Sequence, residues 1–179
     1  PSMLIAVTGS TGFIGQYVVR RLLADGHRVR AFVREGRGEV LTSQDLQNPE
    51  NLELHVGDLV DVASVDGFLK DAAYLVHLAT AHDHLGDDVL QAVNVSGTEN
   101  LVAEAERNAP EHFQFVNVAS AVIGVPVYSY YRDSKRVQEK IVRGSSLRWA
   151  SFRPTLVYGR GDYRHTAPLL RKCGAEKGT

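Results

Sequence analysis

Apolar residues in this chain fall into short unbroken runs, separated by stretches in which they recur every three or four positions. The runs MLIAVT (3–8), RVRAFV (28–33), LELHV (52–56), YLVHLAT (74–80), HFQFVNVAS (112–120) and WASFRP (149–154) have the length and continuity of strands. YLVHLAT is apolar enough to be covered on both faces, as strands of a parallel sheet are. Between the runs lie helical patterns. FIGQYVVRRLLADG sets Ile14, Val18, Leu22 and Ala24 at helical spacing and ends on Gly26, a helix stop. Residues 87–108 keep Val89, Val93, Leu101, Val102 and Ala105 in register, and YYRDSKRVQEKIVRG (130–144) predicts a further helix. Strand and helix in alternation predict an α/β fold, a doubly wound parallel sheet. Right-handed crossovers then bring the carboxyl ends of the strands to one edge, where such sheets bind ligands.

A length of 179 residues supports one domain with a substantial core. With 44% hydrophobic and 23% charged residues the composition is that of an ordinary soluble protein. The formal net charge of -1 gives neither nucleic acid nor an anionic membrane an electrostatic reason to bind. Cys173 is the sole cysteine, which excludes an internal disulfide and fits a reducing compartment. No apolar stretch approaches the ~20 residues of a membrane span, and no signal-peptide pattern precedes the first strand. A cytoplasmic location is the expectation.

The sharpest local signal is VTGSTGFIG, which places Gly9, Gly12 and Gly15 between the first strand and the first helix. There Gly9 permits a tight turn, Gly12 lets a pyrophosphate approach the backbone, and Gly15 allows the helix to pack closely on the strand. The helix start adds free N–H groups and a positive dipole end, and Ser10 and Thr11 add hydroxyl donors. A glycine triplet is weak evidence alone; between a strand and a helix it points to a dinucleotide. The second strand runs into Arg34, a guanidinium suited to a ribose 2′-phosphate and hence to NADP. Glu35 follows and suits a free 2′-hydroxyl, so NAD stays open. Asp58, in GDL after the third strand, suits an adenine amino group or a turn after Gly57.

On the last helix Tyr131 and Lys135 are four apart and face the same way. An ammonium beside a phenol favours the phenolate and brings its pKa toward the working range. Such a tyrosine trades a proton with a substrate hydroxyl or carbonyl while a nicotinamide carries the hydride.

Taken in order, TGSTGFIG, GDL, NVSGTENL (94–101), YRDSKRVQE and RPTLVYGRGD (153–162) resemble the extended and atypical short-chain dehydrogenase/reductases, which include the NAD-dependent epimerase/dehydratases. The resemblance covers nearly the whole chain. It implies a Rossmann fold over residues 3–162, with 163–179 beginning a short or truncated C-terminal substrate region. It also implies a nicotinamide cofactor and Tyr131 as acid/base, with Lys135 binding the nicotinamide ribose. Around the cofactor it implies Phe13 and Ile14 at the glycine turn, Leu59 beside Asp58, and Leu78, Ala79 and Thr80 after strand four. It adds Asn94 on the long helix, Val118 on strand five, and Pro154, Thr155 and Val157 in the last loop.

Two features depart from the family pattern. The position where the family carries a serine or threonine after strand five falls on Ala119, with Ser120 one residue later. A one-residue shift along a strand turns a side chain to the other face. The link from Ser120 to Tyr131 is also short, as in the atypical branch, which resembles NmrA-like regulators and the complex I accessory subunit. Two readings follow. One is an NAD(P)-dependent oxidoreductase or epimerase/dehydratase acting on a small carbonyl or hydroxyl compound, a nucleotide sugar among the candidates, with catalytic Tyr131, Lys135 and Ser120. The other is a dinucleotide-binding sensor without turnover. The family implies a homodimer through the helices over 87–108 and 131–144. HDHLGDD (82–88) reads as a solvated loop, His77 as a packed histidine and Cys173 as inert.

Overall fold

The computed structural model describes residues 2–126 and 128–162; the expected substrate region at 163–179 and Cys173 lie outside them. Six strands form one sheet, all neighbours parallel: β1 (Leu4–Thr8), β2 (Arg28–Val33), β3 (Leu52–Val56), β4 (Tyr74–His77), β5 (Gln114–Val118) and β6 (Arg148–Phe152). Their order is β3-β2-β1-β4-β5-β6, so the chain starts in the middle of the sheet, builds outward to β3, then returns to β4 and builds the other way. That reversal beside β1 is the crevice at which doubly wound sheets take dinucleotides.

Two apolar layers cover the sheet, and β1 supplies both because strand side chains alternate. Leu4 and Ala6 join Phe68, Leu101, Phe115 and Val142 on one side. Ile5 and Val7 join Val19, Leu23, Val29 and Leu41 on the other. Leu23 and Leu101 are wholly buried, each stabilising the fold by about 2 kcal/mol. The first helix, α1 (Phe13–Ala24), ends where the sequence places its stop, with Gly26 at φ +80. Its buried line is Gly15, Val19 and Leu23, however, while Ile14, Val18 and Leu22 are half-buried and Ala24 is exposed. The close approach at Gly15 fixes the rotation of the helix, and the residues four and eight further on must follow it inward.

The strands are shorter than the apolar runs; YLVHLAT leaves the sheet after His77, and residues 78–80 carry no regular secondary structure. After β2 and β3 come only single helical turns, α2 (Glu39–Thr42) and α3 (Val62–Val65). The pattern over 87–108 resolves into α4 (Asp87–Leu90), a wider π-helical stretch Gln91–Ser96, and α5 (Gly97–Asn108). The inward face differs from the expected one: Leu90 and Asn94, which share the face of Leu101 at helical spacing, are buried where Val89 and Val93 were expected, and Leu101, Val102 and Ala105 follow. The last helix, α6 (Tyr130–Gly144), begins on Ser129, whose hydroxyl accepts from the Arg132 amide at 3.2 Å.

Candidate active site

The glycine turn is a fitted piece of backbone. Gly9 sits at φ +65, and a Cβ there would lie 2.6 Å from the Ala79 nitrogen. A Cβ on Gly15 would lie 2.0 Å from the Gly9 carbonyl oxygen. Gly15 therefore makes room for the turn itself rather than for the strand. The Gly12 amide closes the turn on the Gly9 carbonyl at 3.0 Å, and Gly12, at the N-cap of α1, brings no capping side chain. The first amides of α1 thus point to the edge as an anion site. Ser10 does not add a donor there: it is fully buried and its hydroxyl donates to the Phe32 carbonyl at 2.9 Å, tying the turn to β2. Thr11 stays half-exposed, and its carbonyl accepts from the Gln16 side chain at 3.0 Å.

On the other side of the crevice α6 carries Tyr131 and Lys135. The Lys135 side chain is buried, and its Nζ donates to the Val118 carbonyl at the end of β5 at 3.0 Å and to Gln138 Oε1. With Oε1 turned to the lysine, Gln138 Nε2 faces Thr98 Oγ1 at 3.1 Å and His77 Nε2 at 2.8 Å. Thr98 donates its own proton to the Asn94 carbonyl at 2.8 Å. His77 then accepts at Nε2 and donates from Nδ1 to Thr8 Oγ1, 2.7 Å away at the end of β1. The packed histidine of the sequence is thus the middle of a polar chain running from α6 to the glycine turn. Burial pushes His77 down to about 3, with Lys135 adding to the effect. Burial likewise pushes Lys135 down to about 7, against the pull of Glu139. Both are groups whose charged form is costly in that interior, and Lys135 is the one left close to neutrality.

Several predicted residues have protein partners of their own. Asn94 is fully buried; its Oδ1 accepts from the Ala81 amide at 2.7 Å and the Thr80 hydroxyl at 3.2 Å, and its Nδ2 reaches Ser134 Oγ at 3.0 Å. Its amide is spent holding the loop after β4 against α6, so it acts on a ligand only through that loop. The Ala79 amide donates to Thr8 Oγ1 at 3.3 Å and the Leu78 amide to the Thr8 carbonyl at 3.2 Å, which fixes the chain beside the glycine turn. Asp58 is exposed and caps its own turn, Oδ1 accepting from the Val60 amide at 3.1 Å; Leu59 is buried in the core behind it. Ser120 Oγ accepts from the Val122 amide at 3.3 Å and so begins a short helical turn just past β5. Pro154 accepts from the Ala121 amide at 2.9 Å, while Thr155 and Val157 are exposed in a stretch that returns over α1, where the Tyr17 hydroxyl donates to the Arg160 carbonyl at 2.6 Å. Arg34 and Glu35 are both exposed in the turn after β2, and Arg37 is a second guanidinium in that turn.

Two residues escaped the sequence reading. His82 belongs to the loop assigned to solvent, yet its ring stacks on Tyr131 with centroids 5.3 Å apart, and His84 stacks on His82 at 6.2 Å. Gln138 lies three residues past Lys135, a spacing that returns to the same helix face and was the available signal.

The strand order, the glycine turn at its centre and the Tyr–Lys helix across the crevice define a dinucleotide-binding fold of the short-chain dehydrogenase/reductase kind. More narrowly, the chain belongs to the NAD dependent epimerase/dehydratase family, whose sequence profile matches residues 5–178. It is 33% identical over 159 residues to a ceramide reductase of Caulobacter vibrioides, covering 89% of this chain and 48% of that protein. It is 30% identical over 192 residues to a UDP-glucose 4-epimerase of Vibrio cholerae, covering 93% of this chain and 56% of that protein. The fold superposes on the enzyme WbmH of Bordetella bronchiseptica, a structure in complex with NAD+, with a TM-score of 0.82 at 24% identity over 99% of this chain and 64% of that one. The chain spans about half the length of the curated relatives it matches. Among the described residues no helix is long and apolar enough to cross a membrane.

Proposed function

We propose that this chain is the cofactor-binding and proton-transferring part of an NAD(P)-dependent oxidoreductase or epimerase/dehydratase that acts on a small carbonyl or hydroxyl substrate. The observation that carries the reading is Lys135, held at the carboxyl end of β5 one helical turn from Tyr131 and across the crevice from the glycine turn. The residues fit a dinucleotide: the first turn of α1 has no capping side chain, and Gly12 stands exposed above it. A nicotinamide supplies hydride transfer when bound. Tyr131 gives or takes the proton at the substrate oxygen, and Lys135 supplies a positive charge that favours the phenolate and a donor for a ribose hydroxyl. Ser120 orients the substrate oxygen, its hydroxyl proton being separate from the lone pair used by Val122.

Arg34 and Arg37 favour the 2′-phosphate of NADP over NAD. Calorimetric titration with NADPH and NADH tests this: NADPH binding about tenfold tighter is the expected result, Arg34→Ala removes the difference, and binding of neither sinks the whole reading. Tyr131→Phe separates the enzyme from a sensor. It leaves cofactor affinity in place and lowers turnover by about a hundredfold or more. The sensor reading draws on the position of Ser120 outside the strand, and unchanged turnover in Tyr131→Phe would rule out the proton role.

A further inference from the structure

We propose that Gln138 is a positioning residue for Lys135: its amide carbonyl sets the direction of the ammonium, and its amide N–H groups anchor that carbonyl on His77 and Thr98. The inference rests on the reading of Lys135 as a cofactor ligand. An ammonium has three N–H bonds and no acceptor. The Val118 carbonyl takes one and Gln138 Oε1 another, which leaves the third for a ligand. The two protein acceptors hold the nitrogen from different elements, β5 and α6, so its free bond has a defined aim.

The chemistry of the amide matters as much as its place. A carboxylate here would add a charge and keep the lysine ionised well into the alkaline range. A leucine would leave a buried ammonium short of an acceptor. Glutamine supplies the acceptor without the charge, so Lys135 stays able to change protonation near neutral pH. Among the described residues, Glu139 acts on Lys135 from the same helix and His77 is coupled to it from β4; Tyr131 lies one turn back on α6, and Thr98 brings only a hydroxyl from α5, by way of Gln138. Arg153, past β6, is bound to Glu139 through two hydrogen bonds of 3.0 and 2.9 Å and so offsets part of that carboxylate's charge. Gln138 is fully buried, as is His77, so the amide has no water to turn toward and its orientation is fixed by its protein partners.

The experiment reads Lys135 directly, in the apo chain, by the pH dependence of its 13C ε-methylene NMR signal. It compares wild type, Gln138→Leu and the near-isosteric Gln138→Glu. The expected midpoints fall in the order Leu, Gln, Glu, each step about one pH unit. NADH affinity at neutral pH, followed by nicotinamide fluorescence on the same samples, is expected to drop about tenfold in Gln138→Leu and to be kept in Gln138→Glu. If Gln138→Leu does not fold, the upward shift in Gln138→Glu decides alone. Equal midpoints in the variants overturn the proposal, as does a shifted midpoint in Gln138→Leu with unchanged NADH affinity. A wild type that binds neither NADH nor NADPH overturns the cofactor reading instead, while the midpoints still report whether Gln138 holds the lysine.

Discussion

Two loops meet at the crevice, and they are built in opposite ways. The turn after β1 is shaped by missing side chains: Gly9 at φ +65 wedges against the Leu78–Ala79 backbone, and Gly15 clears the Gly9 carbonyl. The loop after β4 is shaped by an added one, since Asn94 reaches in from a helix thirteen positions on to grip Ala81 and Thr80. The first loop is specified by its own residues. The second is specified from a distance, by Asn94 in the π-helical stretch Gln91–Ser96. A loop of the first kind is intolerant of any new atom, whereas one of the second kind fails when a single remote side chain is removed.

The largest effect expected is at the first loop. Gly15→Ala puts a methyl group into the Gly9 carbonyl and costs about 3 kcal/mol or more, with loss of nucleotide binding; thermal unfolding and an NADPH titration measure both. A variant as stable as wild type would show that the turn can give way and that the contrast is overdrawn.

The polar chain joining the loops gives the next effect, a dependence on pH. The folded state holds His77 down to about 3 and Lys135 down to about 7, so for both groups the unfolded chain binds the proton more tightly. As pH rises from about 7 toward the free lysine range, Lys135 adds stability. As pH falls below the free histidine range, near 6.5, stability is lost through His77 at about 1.4 kcal/mol per pH unit until its folded pKa is reached. Urea unfolding of wild type and His77→Gln at acid and neutral pH checks the sign: the variant should lose less stability on acidification.

How much of this was legible follows from how each part is encoded. The strands and the turn after β1 follow from short-range patterns, because apolar runs and glycine spacing act on their own neighbourhood. The rotation of α1 did not, since it depends on which residue meets the turn, and Ile14 and Val18 look as good as Val19 on a helical wheel. The inward face before α5 escaped because apolar character favoured Val89 and Val93, while one of the positions buried there is the polar Asn94. Ser10 reads as a ligand contact by its hydroxyl and Asn94 by the family resemblance, yet both are used inside the protein. His82 shows the converse, a loop residue without periodicity that tertiary packing sets on Tyr131.

Smaller effects sharpen the contrast between the loops. Asn94→Ala should cost about 1–3 kcal/mol and raise hydrogen exchange at the Ala81 amide, with the amides around Gly12 unaffected. If both loops loosen together, the second is not independently held. Ser10→Ala removes one hydrogen bond to Phe32 and is expected to cost about 1 kcal/mol while leaving nucleotide affinity within about twofold. A larger loss of affinity would return the hydroxyl to the ligand.

The order of strands has a consequence for how the molecule divides. β1, β2 and β3 lie together on one side, β4, β5 and β6 on the other, and the covalent chain crosses between the two sets once, before β4. A single cut at Asp71, which is exposed in the turn that makes this crossing, would yield two fragments of three adjacent strands each. One fragment would carry the glycine turn and the other the Tyr131–Lys135 helix, and what reunites them is the β1–β4 seam, with Thr8 and His77 hydrogen-bonded across it, together with the core in which Phe68 joins Leu101 and Phe115. The chain is in that sense two half-proteins joined along one seam of the sheet and the core beneath it, with the crevice at the end of the seam.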